Sequence, residues 1–228
     1  MKVLEELSQR AEEIILKVGA CEVPVDEEFA IGGDFGGTAV HLEPKAFMGG
    51  GVQWARIARL KGGERVQVVN AVFLPEVSRG GPIFALELLL FGENVHLLVA
   101  DLFGANGVGR EALRGAKKEL EEEFTLEERP PWGAEAFSDD LVFLRPGKRA
   151  ELKVDRLAEI VTGLLQAWGE EFSGPTREPG YEVRRDTFLR VQREHEPARP
   201  FLERLAGAQK VERLLWEYLY PDLPPSKE

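Results

Sequence analysis

The stretch from Val52 to Phe103 limits the fold more than any other part of the chain. It reads as four apolar strands, Val52–Leu60, Arg65–Leu74, Pro82–Phe91 and Val95–Phe103. "KGGE" and "GEN" join the outer pairs and are hairpin signals. Connections this short cannot carry a parallel crossover, so the strands form an antiparallel meander. The last three strands are apolar on both sides. Leu86, Leu88 and Leu90 share one face; Ile83, Ala85, Leu89 and Phe91 share the other. An antiparallel sheet commonly wets one face. Here both need cover, so helices are expected above and below.

The rest of the chain can supply them. Val3, Leu4, Leu7, Ala11, Ile14, Ile15 and Val18 repeat at helical spacing. Gly107–Phe124, Glu151–Phe172, Tyr181–Arg193 and Arg199–Tyr220 also read as helices. "RPPWG" and "SGPTREPG" break between them, and "PDLPPSKE" reads as a solvated tail. The expected fold is α/β, a three-layer α/β/α sandwich around an antiparallel sheet, in one domain over 1–228. Residues 21–50 are glycine-rich, but "IGGDFGGTAVHL" has neither phosphate-loop nor dinucleotide spacing and reads as turns between strands.

Composition excludes several classes. The single cysteine, Cys21, forbids an internal disulfide and, with only three histidines, a Cys/His zinc site. An iron–sulfur cluster normally takes about four cysteines. A formal net charge of −11 argues against nucleic acid as a partner. No apolar run reaches the roughly 18 residues of a membrane span. The acidic amphipathic start is unlike a signal peptide, which makes the cytoplasm the default compartment.

Two residues violate the strand pattern. Asn70 falls on the face of Val66, Val68 and Val72; Glu87 falls on the face of Ile83, Ala85 and Leu89. An unpaired buried amide costs about 1–3 kcal/mol, and a buried carboxylate costs more or stays protonated. Either the strands pass a sheet edge, where these groups reach water or an arginine, or they floor a ligand pocket. In a pocket the acid would be a proton donor and the amide an orienting group. The pattern alone leaves both open.

Three ordered segments resemble the ferredoxin-dependent bilin reductases and their relative, red chlorophyll catabolite reductase. "QVVNAVFLPEVSRGGPIFALELLLFGENVHLLVADLF" is similar to the family's central sheet, through Asn70, Leu74–Pro75, Pro82–Ile83–Phe84 and Asp101. "PPWGAEAFSDDLVFLRPG" and "QREHEPARPFLERL" resemble its Trp-Gly…Arg-Pro segment and the segment before its last helix. The resemblance implies a linear tetrapyrrole substrate, usually biliverdin, bound between the sheet and the C-terminal helices. It implies reduction by single electrons from reduced ferredoxin, with substrate radicals and no bound cofactor or metal.

Carried over by position, the sheet acid falls on Glu87 and the second acid on Glu196, each Glu where most members have Asp. His195 takes the variable polar position beside Glu196. The His/Asn position falls on Asn70, and Arg145 on the arginine expected at a propionate; His96 is a second candidate there. Each has a plainer alternative. Glu196 reads equally as an exposed acid near a helix start, and His195 as a solvated residue. Arg145 has Asp139 and Asp140 as possible partners. His96 reads as an ordinary sheet histidine, Asp101 as a brace after its strand, and Trp132 and Trp168 as core. The basic runs Arg145–Arg149 and Arg184–Arg193 would suit an acidic ferredoxin, against the chain's own acidity. The Glu substitutions leave two alternatives: a red-chlorophyll-catabolite type of reductase, or a tetrapyrrole binder without turnover.

Overall fold

A computed structural model describes residues 2–146, 154–174 and 179–224. Its centre is an antiparallel sheet of β1 (Cys21–Val23), β2 (Gly32–Phe35), β3 (Thr38–Gly49), β4 (Val52–Gly62), β5 (Val66–Pro75), β6 (Ile83–Phe91), β7 (Asn94–Phe103) and β8 (Val142–Leu144). The order is β1-β3-β4-β5-β6-β7-β8, with β2 also paired to β3. The expected meander is therefore the middle of the sheet, and its strands pair in chain order. The glycine-rich segment supplies the turn at Gly49–Gly51, where all three residues have positive φ. Gly50 packs so closely on the end of the first helix that a Cβ would lie 2.4 Å from the Val18 carbonyl oxygen.

Helices cover both faces. On one side lie α1 (Lys2–Lys17), α2 (Gly107–Glu121) and α3 (Val154–Ser173). They bury Leu7, Ile15, Leu113, Leu164 and Trp168 against Phe73, Phe84, Leu86 and Leu88. On the other lie α4 (Tyr181–His195), α5 (Arg199–Ala206), α6 (Ala208–Arg213) and a π-helical turn, Leu214–Leu219. Here Phe188, Leu202, Val211, Leu215 and Tyr218 join Leu42, Val72, Ile83 and Ala85 in a second core. Burial of both sheet faces is what the doubly apolar strands require.

The structure corrects the C-terminal reading in two places. The continuous helix expected over Arg199–Tyr220 is interrupted at Gly207, whose φ of +83° a side-chain-bearing residue rarely adopts. The tail is not wholly solvated: Pro221 is buried and Leu223 packs on the second core. Residues 225–228 lie outside the described residues, as do 151–153 of the expected Glu151–Phe172 helix and 175–178 of the expected "SGPTREPG" break.

Candidate active site

The two misfits lie side by side. Asn70 of β5 is the direct cross-strand partner of Glu87 of β6. Both strands are interior to the sheet, so neither residue escapes over an edge. Equal register and pleat put both side chains on the face of the second core. A cavity opens there between the sheet and α4, α5 and the C-terminal segment. Its outer lobe, of about 450 Å³, is lined by Val68, Leu89, His96, Phe201 and Leu219 among others. A tighter inner lobe, of about 90 Å³, is lined by Trp132, Phe137, Phe143, Gln192 and Tyr220 among others. Asn70, Glu87, Leu97, Arg145, Glu196 and Pro197 line both lobes. The outer lobe alone lies in the range of small-organic-ligand sites, about 300–1,000 Å³.

Each polar group is positioned by a different element. Glu87 is half-buried on the floor. Burial pushes its pKa up to about 8, the neighbouring charge of Glu196 adds to the rise, and Arg56 and Arg145 oppose it. Glu87 therefore carries a proton at neutral pH. Glu196 follows the last turn of α4 and is buried, not an exposed acid. Its Oε2 accepts from the Tyr220 hydroxyl at 2.7 Å, and its Oε1 from the Ala198 N–H at 2.9 Å. Burial and the charge of Glu196 raise the Tyr220 phenol well above its ordinary range, so it remains a donor.

Arg145 follows β8, is exposed, and lies over the Phe143 ring at 5.1 Å. It does not pair with Asp139 or Asp140; Arg129 takes the first, and Arg110 and Arg114 the second. His96 is the extra residue of a bulge, since Leu89 faces Leu97 while Leu90 faces Val95. The bulge turns His96 outward to the cavity rim, against Phe91. His195 lines neither lobe. It is exposed and stacks on Trp132, centroids 5.0 Å apart. Trp132, expected in the core, instead forms cavity wall on a 3-10 turn, Pro131–Glu135; Trp168 is core, as read. Asp101 braces more than its own turn. It is buried and accepts from both the Ser138 N–H and hydroxyl, tying the segment that carries Trp132 and Phe137 to β7.

The basic run on α4 is largely engaged within the protein. Arg185 is buried and bonds Gln53 and Asp186; Arg190 pairs with Glu135 and Glu194; Arg193 lies over Trp216 and pairs with Asp222. The 147–149 part of the other basic run lies outside the described residues.

Three contributors escape the sequence reading: Arg56, Tyr220 and Gln192. Arg56 of β4 is fully buried, donates from Nη1 to Asn70 Oδ1 at 2.7 Å and from Nε to the Leu219 carbonyl at 2.6 Å. Its signal was available. The neighbours Trp54, Ala58 and Leu60 on its side of β4 are apolar, so Arg56 is a misfit of the same kind as Asn70 and Glu87. Gln192 opens the "QREHEPARPFLERL" segment but is not singled out by it, and nothing local marks Tyr220; both depend on how the C-terminal helices fold back.

Among the described residues no group of His, Cys, Asp and Glu could hold a metal ion, and no helix is long and apolar enough to cross a membrane. The arrangement offers a protonated carboxyl and an amide on an apolar floor, a second carboxyl opposite, and a cation at the rim.

The sequence matches the profile of the family described as ferredoxin-dependent bilin reductase over residues 6–221. It is 28% identical over 182 residues to the 15,16-dihydrobiliverdin:ferredoxin oxidoreductase of Prochlorococcus marinus (strain MIT 9303), covering 73% of this chain and 72% of that one. The fold is similar to phytochromobilin synthase from tomato, solved in complex with biliverdin (TM-score 0.69, 16% identity, 95% of this chain and 82% of that one). It is also similar to a structure titled PcyX (TM-score 0.59, 10% identity, 97% and 99%).

Proposed function

The chain belongs to the ferredoxin-dependent bilin reductases, and from that premise we propose that it reduces a biliverdin-type linear tetrapyrrole by alternating electron and proton transfers, in the cytoplasm and as one domain. Ferredoxin supplies the electrons, as the family's description implies. The protein's own part is to bind the bilin, exclude water and deliver protons.

One observation carries this reading. The floor of the cavity is a cross-strand pair, Asn70 and Glu87, in which Glu87 holds its proton at neutral pH. In each cycle one electron reaches the bound bilin. The Glu87 O–H bond then breaks, its proton passes to the tetrapyrrole, and a carboxylate remains near Arg56 and Arg145. Glu87 takes a proton back from solvent, and a second ferredoxin electron with that second proton completes a two-electron reduction. Glu196, held by Tyr220 and Ala198, serves the opposite end of the substrate. Asn70 orients the central pyrroles. Arg145 pairs with a propionate, for which a guanidinium is well shaped, and His96 flanks the second. His195 lies outside the lining, so its contribution is to brace Trp132.

The test is an anaerobic mixture of the protein with biliverdin, ferredoxin, ferredoxin reductase and NADPH. A shift of the bilin absorbance and a reduced bilin are expected. No spectral change and no product would end the proposal. The Glu at the sheet-acid position keeps one alternative substrate in view, a chlorophyll-derived linear tetrapyrrole; turnover of the two substrates side by side decides between them.

A further inference from the structure

We propose that Arg56 is a positioning residue that locks Asn70 with its amide NH2 toward the cavity, making the floor a hydrogen-bond donor to an acceptor atom of the substrate, a lactam oxygen or an imine-type pyrrole nitrogen. The inference rests on the bilin reading above and goes beyond it in direction and in residue.

The argument is one of donors and acceptors. A guanidinium only donates. Its Nη1 lies 2.7 Å from the Asn70 side chain, so the atom facing Arg56 must be the amide oxygen. The Nδ2 end then points away, and Asn70 lines both lobes of the cavity. Among the described residues the Asn70 side chain has its hydrogen bond through Oδ1, and no acceptor meets Nδ2. Arg56 cannot swing to release the amide. Its Nε is fixed to the Leu219 carbonyl at 2.6 Å, and its guanidinium lies 4.9 Å from the Tyr220 ring centroid. That carbonyl ends the π-helical turn, where backbone oxygens lack helical partners. Arg56 Nη2 is buried without a partner, a cost that a purely structural arginine would have little reason to carry.

The same cation faces the acid that the reaction uses. Around Glu87 stand Arg56 from β4, Asn70 from β5, Val99 and His96 from β7, Arg145 after β8, Glu196 after α4 and Tyr220 after the π-helical turn. Arg56 and Arg145 are the cations among them that favour the Glu87 carboxylate. When Glu87 gives up its proton, Arg56 offsets the charge left behind.

Two experiments test the inference. The chain has three asparagines, Asn70, Asn94 and Asn106. In protein labelled with 15N-asparagine, biliverdin is expected to shift the Asn70 side-chain NH2 signals and slow their exchange. Unmoved Asn70 signals in a protein that binds biliverdin would overturn the inference. In the second, Arg56→Met is expected to move the alkaline limb of the rate profile up by roughly half a pH unit or more, because a cation that favours the carboxylate is gone. Arg56→Lys is expected to keep that midpoint near wild type. An active Arg56→Met protein with the wild-type midpoint would overturn the inference. If Arg56→Met does not fold, the labelled wild-type protein still decides. Failure of wild-type protein to bind biliverdin would instead remove the bilin reading and this inference with it.

Discussion

Tyr220 donates its hydroxyl hydrogen to Glu196 at 2.7 Å, inside the protein and across 24 residues of chain. The bond joins the end of the π-helical turn to the end of α4 and turns a buried carboxylate toward the cavity.

Tyr220→Phe removes that donor and leaves Glu196, among the described residues, with the Ala198 N–H. The lost hydrogen bond is expected to cost about 1–3 kcal/mol of stability, because the carboxylate stays buried. Turnover is expected to fall roughly tenfold with little change in KM, since the group acts on proton delivery and not on affinity. Thermal unfolding and steady-state rates check both.

The raised pKa of Glu87 sets a pH dependence with a definite sign. Only the protonated acid can donate, so the rate is expected to fall as pH rises through about 8. Stability follows the same proton. Folded Glu87 holds it more tightly than an unfolded Glu, whose pKa is 4.5. The stabilisation is complete below 4.5 and is lost as pH climbs to about 8. Glu87→Gln should flatten that part of the curve of unfolding midpoint against pH.

Asp101→Asn is expected to loosen the inner lobe without touching the substrate. The carboxylate accepts from the Ser138 N–H at 2.7 Å, the Ser138 hydroxyl at 2.5 Å and the Leu102 N–H at 2.9 Å. An asparagine sets an NH2 where an acceptor is needed. A loss of about 1–3 kcal/mol and weaker biliverdin binding are expected, read by calorimetry and absorbance titration.

Arg145→Gln should behave differently. Arg145 is exposed and, among the described residues, Asp139 and Asp140 are taken by other arginines, so stability should hardly move. KM is expected to rise about tenfold with kcat nearly unchanged, as for loss of uniform binding. A fully esterified bilin, which lacks the propionate charge, should be insensitive to the substitution.

The middle of the sheet was legible because its strands are long, apolar on both faces and joined by short glycine-containing turns. The edge strands were not: β1 and β8 have three residues each, too few for a pattern, and exist because longer neighbours offer them hydrogen bonds. The Gly207 break was written in the sequence, yet the apolar spacing on either side continues in phase and conceals it. Asn70 and Glu87 stand out because a polar residue among valines and leucines is conspicuous. Arg56 is inconspicuous because "ARIAR" also reads as two surface arginines, and only the parity shared with Trp54, Ala58 and Leu60 separates Arg56 from Arg59. Tyr220 and Trp132 reach the cavity through folding back of distant segments, which no local pattern encodes.

The central claim is that Glu87 gives the bilin its proton. The most direct measurement is an anaerobic single turnover of Glu87→Gln with bound biliverdin and excess reduced ferredoxin. Glutamine keeps the size and hydrogen-bonding ends of the side chain but has no acidic proton. The expected result is wild-type biliverdin affinity, reduction that halts after electron uptake, and no two-electron product. Product formation at the wild-type rate would contradict the claim.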